Sequence, residues 1–263
     1  MMELQIKEKK EFQYVEEGTG EVLLLLHGLF GALSNWQDVI SDFARDYRVI
    51  IPMLPIYEMP LTKAGVPGLV GYVEEFVAEM GLHQPFTLLG NSLGGHVALV
   101  YTLHNPQQVE RLVLTGSSGL FEDSMGSSFP KRGNYGFVQQ RVAYTFYDPT
   151  LATKDLVDEV FNVTNSNIKV LRIINIARSA QRHNLAKDLG RIQVPTLLVW
   201  GLNDTITPPI VAHEFHRLIT NSELHFLDHC CHAPMMERPA AFNARLRQFL
   251  HSTKRQSVVS SVS

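Results

Sequence analysis

Short apolar runs alternate with longer stretches of helical spacing along most of the chain. The runs carry few polar residues, which is typical of strands buried on both faces of a sheet. The predicted strands are 22–26, 47–51, 86–89, 111–115, 196–200 and 224–227. Residues 3–16 predict an opening strand or hairpin. Apolar positions recur every three or four residues between the strands, so we expect helices there. The predicted helices are 35–45, 69–80, 96–104, 208–219 and 239–251.

This alternation predicts an α/β fold with a mostly parallel sheet and helices on both faces. It stops between residues 120 and 190, where helical spacing continues without a strong strand. We therefore predict a core of residues 1–119 and 191–251, and a helical insert, residues 120–190, that caps the C-terminal edge of the sheet. Helices of the insert are predicted at 137–147, 155–162 and 168–182. The Ser-rich tail, residues 252–263, is expected to be disordered.

The stretch Gly90-Asn91-Ser92-Leu93-Gly94 joins a predicted strand to a predicted helix. A serine flanked by glycines on such a turn is the nucleophile elbow. The turn is sharp enough to strain the Ser92 backbone, and a side chain at position 90 or 94 would collide with the strand or the helix. Ser92 is therefore the predicted nucleophile. A Gly-rich turn that merely opens a helix is the structural alternative.

A serine hydroxyl needs a base, and His232 follows the last predicted strand, at the sheet edge where Ser92 emerges. His232 begins a His-x-Pro-x-x-Glu-x-Pro pattern that leads into the final helix, so we prefer it to His229 of the same loop. The acid that orients this base is predicted to be Asp204, after the preceding strand. A helix-capping role is the structural alternative for Asp204, and Asp228 is its competitor as the acid.

Two backbone amides are needed to stabilise the oxyanion of a tetrahedral intermediate. One is predicted to be the amide of Leu93, at the start of the elbow helix. The other is predicted to be the amide of Leu29, in the loop after the strand 22–26, with Phe30 as the second choice. His27 is expected to order this loop by hydrogen bonding and not to transfer protons.

The order Ser…Asp…His along the chain resembles that of the α/β-hydrolase superfamily over about residues 10–250. The resemblance rests on His27-Gly28, the nucleophile elbow, Gly201-x-x-Asp204 and His232-x-Pro234. It implies an α/β-hydrolase fold and an acyl-enzyme mechanism. Serine at position 92 argues against the dehalogenase and epoxide-hydrolase branches, which use an aspartate there.

The segments 90–92 and 147–151 are similar to those of the meta-cleavage-product hydrolases, which split carbon–carbon bonds in dienoate acids. Ala233 stands where those enzymes usually have a tryptophan, and the apolar loop 52–55 replaces their usual Asp-x-Pro-Gly-x-Gly-x-Ser. Candidate arginines for the substrate carboxylate are Arg172, Arg178 and Arg182. Phenylalanines expected to give the site apolar surface are Phe30, Phe121 and Phe129.

Composition narrows the choice of partners. The chain has 263 residues and a net charge of −3, so nothing favours nucleic-acid binding. No apolar run approaches the roughly 18 residues of a membrane span, and the polar start lacks a signal-peptide core. Adjacent Cys230 and Cys231 are poorly placed to bridge each other, which fits a cytoplasmic location. We expect a small-molecule substrate, and the predicted triad needs neither a metal nor a cofactor. A zinc site in His229-Cys230-Cys231-His232 is disfavoured, because adjacent ligands cannot all converge.

We therefore predict a serine hydrolase that acts on a small, partly apolar carboxylic ester through an acyl-enzyme. A carbon–carbon bond hydrolase of a dienoate acid is the first alternative. A small-molecule binding protein on the same fold is an alternative of another class, and detectable turnover would separate it from both enzymes.

Overall fold

The computed structural model describes residues 5–31, 36–121 and 133–260. These ranges contain eight strands in one sheet, in the order β1-β2-β4-β3-β5-β6-β7-β8. The strands are β1 (Lys7–Lys9), β2 (Phe12–Glu17), β3 (Glu21–Leu26), β4 (Tyr47–Pro52), β5 (Phe86–Asn91), β6 (Val109–Thr115), β7 (Thr196–Gly201) and β8 (Ser222–Leu227). β2 pairs antiparallel with β1 and with β4, and the remaining pairs are parallel. The predicted, mostly parallel sheet is confirmed.

Nine α-helices accompany the sheet in the same ranges. They are α1 (Gln37–Phe43), α2 (Val66–Glu79), α3 (Leu93–His104), α4 (Tyr135–Ala143), α5 (Lys154–Thr164), α6 (Asn167–Arg182), α7 (Pro209–Leu218), α8 (Pro234–Glu237) and α9 (Pro239–Ser260). Two short 3-10 turns are Pro149–Leu151 and Leu189–Arg191. No helix of the described chain is both long and apolar enough to cross a bilayer.

The helix α9 differs most from its prediction. The sequence predicts an end at about 251, whereas the helix continues to Ser260. Neither glycine nor proline follows Pro239, so no strong stop signal interrupts the helix. The helix therefore extends into the tail that the sequence predicts to be disordered. The other predicted elements are confirmed, with ends that differ by a few residues.

The helices cover both faces of the sheet. Side chains of α2, α3 and α7 build one apolar core, and those of α1 and α9 build the other. Successive residues of a strand point to opposite faces, so Leu24 and Leu26 enter the first core while Leu23 and Leu25 enter the second. This two-sided burial explains why β3 reads as an uninterrupted apolar run.

The strand order brings four loops to one edge of the sheet. β3 lies beside β5, with Leu26 opposite Gly90, and β7 lies beside β8, with Gly201 opposite Leu227. All four strands run in the same direction, so the chain leaves each of them at the C-terminal edge. The loops that carry the predicted site residues therefore begin next to one another.

The helical insert enters and leaves the core at one place. It lies between β6 and β7, and its described residues form α4, α5 and α6 without a strand. The Leu185 N–H donates to the Gly119 carbonyl oxygen at 2.8 Å, and Asn184 Nδ2 donates to the Leu120 carbonyl oxygen at 2.7 Å. These bonds join the incoming and outgoing chain at the base of the insert.

Candidate active site

Ser92 sits at the junction of β5 and α3. Its φ of 54° and ψ of −119° are unfavourable for a residue other than glycine, so the backbone is strained as predicted. A Cβ added at Gly90 would lie 2.5 Å from the Gly94 carbonyl oxygen, and one at Gly94 would lie 2.2 Å from that of Leu26. The predicted collisions are thereby confirmed. The helix begins at Leu93, so its first amides have no intrahelical partner.

Asp204 and His232 form a buried pair in which His232 Nδ1 lies 2.9 Å from Asp204 Oδ2. The same carboxylate accepts hydrogen bonds from the Ile206 N–H and from the N–H and hydroxyl of Thr207, at 2.8 to 3.0 Å. Burial opposes the charge, but His232 and the backbone donors outweigh it and hold the pKa of the Asp204 carboxyl below its ordinary value. A carboxylate in this position favours a proton on His232 Nδ1 and leaves Nε2 as the acceptor.

The His232 loop is bonded to both neighbouring parts of the site. Asn91 Nδ2, on the elbow, donates to the His232 carbonyl oxygen at 3.2 Å. The His232 N–H donates to the Thr145 carbonyl oxygen of the helical insert at 3.2 Å. A Cβ added at Gly116, the residue after β6, would lie 2.8 Å from the His232 carbonyl oxygen. The His232 backbone is therefore bonded both to the elbow and to the insert.

Glu237 is a buried carboxylate that holds the same loop by its backbone. Its Oε1 accepts the N–H groups of Cys231 at 2.9 Å and Ala233 at 3.2 Å, on either side of His232. Its Oε2 accepts the Tyr147 N–H of the helical insert at 2.7 Å. Burial raises the pKa of Glu237, and the three N–H donors oppose that rise. One side chain thus joins the His232 loop to the insert.

Residues 27–31, which we call the oxyanion loop, are ordered by a neutral histidine. His27 Nε2 accepts the Leu54 N–H at 3.0 Å, so Nδ1 carries the proton and donates to the Gly28 carbonyl oxygen at 2.9 Å. Burial lowers the pKa of His27. The predicted role of His27 in ordering this loop by hydrogen bonding is confirmed. The Leu29 N–H belongs to the peptide group whose carbonyl His27 holds.

A cavity of about 330 Å³ brings most of the predicted residues together. Those that line it are Ser92, His232, Leu29, Phe30 and Leu93. Asp204 contacts His232 without lining the cavity. The alternatives Asp228 and His229 lie elsewhere, as an exposed pair with 3.3 Å between His229 Nδ1 and Asp228 Oδ2.

The helical insert supplies most of the cavity wall, and that wall is largely apolar. Buried side chains that line it include Val138, Val142, Phe146, Val160, Ile173 and Ile176. The cavity size lies at the lower end of small-molecule sites. An apolar enclosure next to Ser92 is suited to a hydrocarbon chain.

Arginines contribute to the site differently from the prediction. Arg178 lines the cavity, and Arg141, which the sequence did not single out, lines it as well. Arg172 is instead bonded to backbone carbonyls, and Arg182 is exposed outside the described lining. Among the described residues, Arg141 and Arg178 are therefore the arginines that line the cavity.

One expectation about apolar residues is corrected. Phe121 is 47% exposed and does not line the cavity, because the chain leaves the core at Leu120. The apolar loop 52–55 lies outside the lining and supports the oxyanion loop through Leu54. Phe30 lines the cavity as expected, and Phe129 lies outside the described residues.

The sequence did not predict the residues that hold the site loops in place or join them to the helical insert. Glu237 belongs to the recognised pattern after His232, yet its bonds to three backbone N–H groups had no sequence signal. Two further residues come from distant parts of the chain. The Tyr57 hydroxyl bonds to the Leu29 carbonyl oxygen, and Arg141 lines the cavity.

Within the described ranges, no group of three or more His, Cys, Asp or Glu side chains could hold a metal ion. Cys230 and Cys231 are separate buried thiols.

Comparisons with known proteins agree with the fold. The crystal structure of an α/β-hydrolase enzyme from a sediment metagenome of the Mar Chica lagoon, Morocco, superimposes with a TM-score of 0.79. It shares 39% identity and covers 95% of this chain and 99% of that chain. A relative from Metapseudomonas resinovorans, 2-hydroxy-6-oxo-6-(2'-aminophenyl)hexa-2,4-dienoic acid hydrolase, is 28% identical and covers 91% of this chain and 87% of its own.

Monoacylglycerol lipase ABHD6 of Bos taurus is 26% identical, over 88% of this chain and 76% of its own. The sequence also matches the family described as alpha/beta hydrolase fold over residues 21–167 and 148–239. These matches extend over most of the sheet and the insert, and they confirm the resemblance drawn from the sequence motifs. The chain belongs to the α/β-hydrolase fold family.

Proposed function

We propose that the protein is a serine hydrolase of carboxylic esters that works through an acyl-enzyme. The observation that carries the proposal is the 2.9 Å contact between His232 Nδ1 and Asp204 Oδ2, beside a cavity lined by the strained Ser92. Ser92 is the nucleophile, His232 is the general base, and Asp204 fixes the tautomer and orientation of that base.

Acylation begins when Ser92 Oγ attacks the ester carbonyl carbon and His232 Nε2 takes the hydroxyl proton. The carbonyl oxygen becomes an oxyanion, which accepts hydrogen bonds from the backbone N–H groups of Leu93 and Leu29. The tetrahedral intermediate then collapses. The carbon–oxygen bond to the alcohol breaks, and the alcohol leaves with the proton held by His232.

Deacylation repeats these steps with water. His232 removes a proton from a water molecule that attacks the acyl carbon, and the same amides stabilise the second oxyanion. Breaking the bond to Ser92 Oγ returns the proton to the serine and releases the carboxylic acid. One ester and one water molecule give one acid and one alcohol. Asp204 stays ionised throughout, in keeping with the lowered pKa of its carboxyl.

The apolar wall of the insert supports an acyl chain as the group that the cavity binds. Side chains such as Val160 and Ile176 offer contact area and no hydrogen bond, which favours a neutral hydrocarbon over an anion. The Bos taurus relative is named as a monoacylglycerol lipase, which is an ester hydrolase, and this name supports the same substrate class.

Hydrolysis of a carbon–carbon bond in a dienoate acid is the second candidate. Arg141 and Arg178 both line the cavity, and a guanidinium is suited to a substrate carboxylate. The Metapseudomonas resinovorans relative is named as a hydrolase of a dienoic acid. We rank this reaction second because apolar side chains form most of the wall around these two cations.

The test compares kcat/KM for nitrophenyl esters of graded acyl length with kcat/KM for a ring-cleavage dienoate on one preparation. We expect an ester to be preferred. A dienoate advantage of about tenfold, or about 1.4 kcal/mol in transition-state free energy, would reverse the ranking. Absence of turnover on both classes would favour the binding-protein alternative.

Ser92→Ala provides the control for the nucleophile. It should lower kcat by at least about 10³-fold, because only binding and the oxyanion amides would remain. A fluorophosphonate should label the wild type and spare this variant. Labelling of Ser92→Ala at the wild-type rate would show that another residue is the nucleophile.

A further inference from the structure

The backbone on either side of the Leu29 Cα is held by side chains from other parts of the chain. On one side, His27 Nδ1 holds the Gly28 carbonyl oxygen at 2.9 Å. On the other side, the Tyr57 hydroxyl donates to the Leu29 carbonyl oxygen at 2.8 Å. A peptide group is planar, so fixing a carbonyl also fixes the N–H of the next residue. His27 therefore fixes the direction of the Leu29 N–H bond, and Tyr57 fixes the direction of the Phe30 N–H bond.

Tyr57 is itself held by the helical insert. Arg172, on α6, donates from Nε to the Met59 carbonyl oxygen at 2.8 Å and from Nη1 to the Tyr57 carbonyl oxygen at 2.6 Å. The neighbouring Lys169 places its ammonium 5.6 Å from the centre of the Tyr57 ring. Burial, followed by the charges of nearby glutamates, raises the pKa of the Tyr57 phenol, which therefore stays protonated as a donor.

We propose that Tyr57 is a positioning residue for the oxyanion loop and that Arg172 couples this tyrosine to the helical insert. The inference rests on the proposed function, because it assigns the loop amides to the oxyanion. Leu29, the predicted donor of this loop, and Phe30, the second choice, both belong to peptide groups that the arrangement orients. Docking of α6 on the segment 57–59 thereby contributes to the geometry in which the oxyanion is bound.

The coupling affects transition-state binding more than substrate binding. A substrate carbonyl is weakly polarised, whereas the tetrahedral intermediate carries a full negative charge that the amides must meet. Removing an oxyanion donor lowers kcat by about 10²–10³-fold. A donor that is kept but poorly oriented should therefore lower kcat by about tenfold. KM should change little, since the apolar cavity wall is not altered.

Tyr57→Phe removes only the hydroxyl and tests the first half of the proposal. Tyr101→Phe is its matched control, because the Tyr101 hydroxyl donates to Gln108 Oε1 near the C-terminal end of α3, away from the cavity and the oxyanion loop. For the best ester, Tyr57→Phe should lower kcat about tenfold with KM within about twofold, while Tyr101→Phe should leave both within about twofold.

A second readout uses an alkyl boronic acid. Its boron accepts the electron pair of Ser92 Oγ, the serine proton passes to His232, and the anionic adduct occupies the oxyanion site. The inhibition constant of this compound should rise about tenfold in Tyr57→Phe. An alkyl alcohol of matching length fills the cavity without an oxyanion, so its inhibition constant should not change.

Arg172→Met tests the second half and serves as an independent variant should Tyr57→Phe fold poorly. It keeps an apolar stem and removes both donors. Arg182→Met, on the exposed end of the same helix, is the control. Arg172→Met should lower kcat about fivefold, and its effect should be smaller in the Tyr57→Phe background because both changes release one loop.

The outcomes distinguish this inference from the proposed function. Wild type without ester turnover would overturn both proposals. Suppose that the wild type is active, Ser92→Ala is inactive, and Tyr57→Phe matches Tyr101→Phe in kcat and in boronate affinity. This result would overturn the positioning role alone. Equal weakening of boronate and alcohol would also overturn it, since that result describes a general loosening of the cavity.

Discussion

The loops at the sheet edge and the wall of the helical insert meet at the same cavity but are built differently. Around His232, polar side chains such as Asn91, Asp204 and Glu237 are bonded to backbone groups or to the imidazole at 2.7 to 3.2 Å. Across the cavity, side chains such as Val160 and Ile176 offer only apolar contact.

This difference suggests that the loops determine the rate of turnover and that the wall of the insert determines which substrate is preferred. Hydrogen bonds are directional and costly to leave unmade, so the loops have one favoured geometry. Apolar contacts depend on area and volume, and one residue can replace another of similar size at small cost. We therefore expect changes in the loops to reduce turnover of every substrate, and changes in the wall to alter the choice among substrates.

The largest expected effect comes from Asp204→Asn. The amide cannot hold the proton of His232 Nδ1 in the required tautomer, so kcat should fall by about 10³–10⁴. Asp228→Asn is the matched control, because Asp228 pairs with His229 at the surface. Steady-state kcat values of both variants on one ester identify which aspartate is the acid. A severe loss in Asp228→Asn beside a mild one in Asp204→Asn would assign the acid to Asp228.

Glu237→Gln should have the next largest effect. The single carbonyl oxygen of a glutamine can accept either the Cys231 and Ala233 N–H groups or the Tyr147 N–H. Its NH₂ group then faces the remaining N–H, and two donors cannot bond to each other. The lost bonds to a buried charged group lower the stability of the His232 loop by about 1.5–3 kcal/mol. A displaced His232 should in turn lower kcat about 10–100-fold for all esters. Thermal unfolding should show a lower Tm.

Glu223→Gln is the control for this charge removal. Glu223 lies on β8 with its side chain 48% exposed, 3.9 Å from His225, and an exposed pair of this kind contributes little. Its kcat and Tm should match the wild type. If Glu237→Gln also matched the wild type, the His232 loop would not depend on the buried carboxylate.

Val160→Phe should have a smaller and selective effect. Extra volume in the wall shortens the space for an acyl chain, so kcat/KM for long-chain esters should fall about tenfold while that for acetate esters stays constant. Leu171→Phe is the control, since Leu171 is 42% exposed on α6 and does not line the cavity. A uniform loss over all chain lengths would place Val160 among the residues that support turnover.

The smallest expected effect is on acid stability. The folded-state pKa of the Asp204 carboxyl lies below its ordinary value, so its ionisation stabilises the folded state above the unfolded pKa of about 3.9. That contribution is lost as the pH falls through the lower, folded-state pKa. The Tm difference between wild type and Asp204→Asn should therefore shrink below about pH 4. A difference that grows on acidification would contradict the direction of the shift.

The sheet and the predicted site residues were accessible from sequence because their signals are local. Uninterrupted apolar runs identify strands such as β3 and β7, and the glycines around Ser92 follow from the sharpness of one turn. The Asp204–His232 contact could be anticipated because parallel strands leave at one edge. Each of these inferences uses a short segment and a general rule.

The connecting residues were not accessible for the opposite reason. Tyr57 reaches Leu29 across 28 positions, and Arg172 reaches Tyr57 across 115. Such contacts depend on the paths of two loops and on the docking of a helix, neither of which leaves a periodic pattern. The sequence of an amphipathic helix does not show whether its arginine binds a substrate or a backbone carbonyl. The sequence suggested the first role for Arg172, and the structure shows the second.

The hydrogen-bonded base of the helical insert has a consequence for engineering and divergence. Gly119 and Leu185 are already joined at 2.8 Å, so a replacement segment between them would close a loop whose ends are fixed by the core. The entropy of closing a loop grows only slowly with its length. Segments of different length and sequence can therefore be exchanged at this point if they keep the contacts that Thr145, Tyr147 and Arg172 make with the core. A library of such exchanges would vary acyl preference while the sheet and the elbow keep their structure.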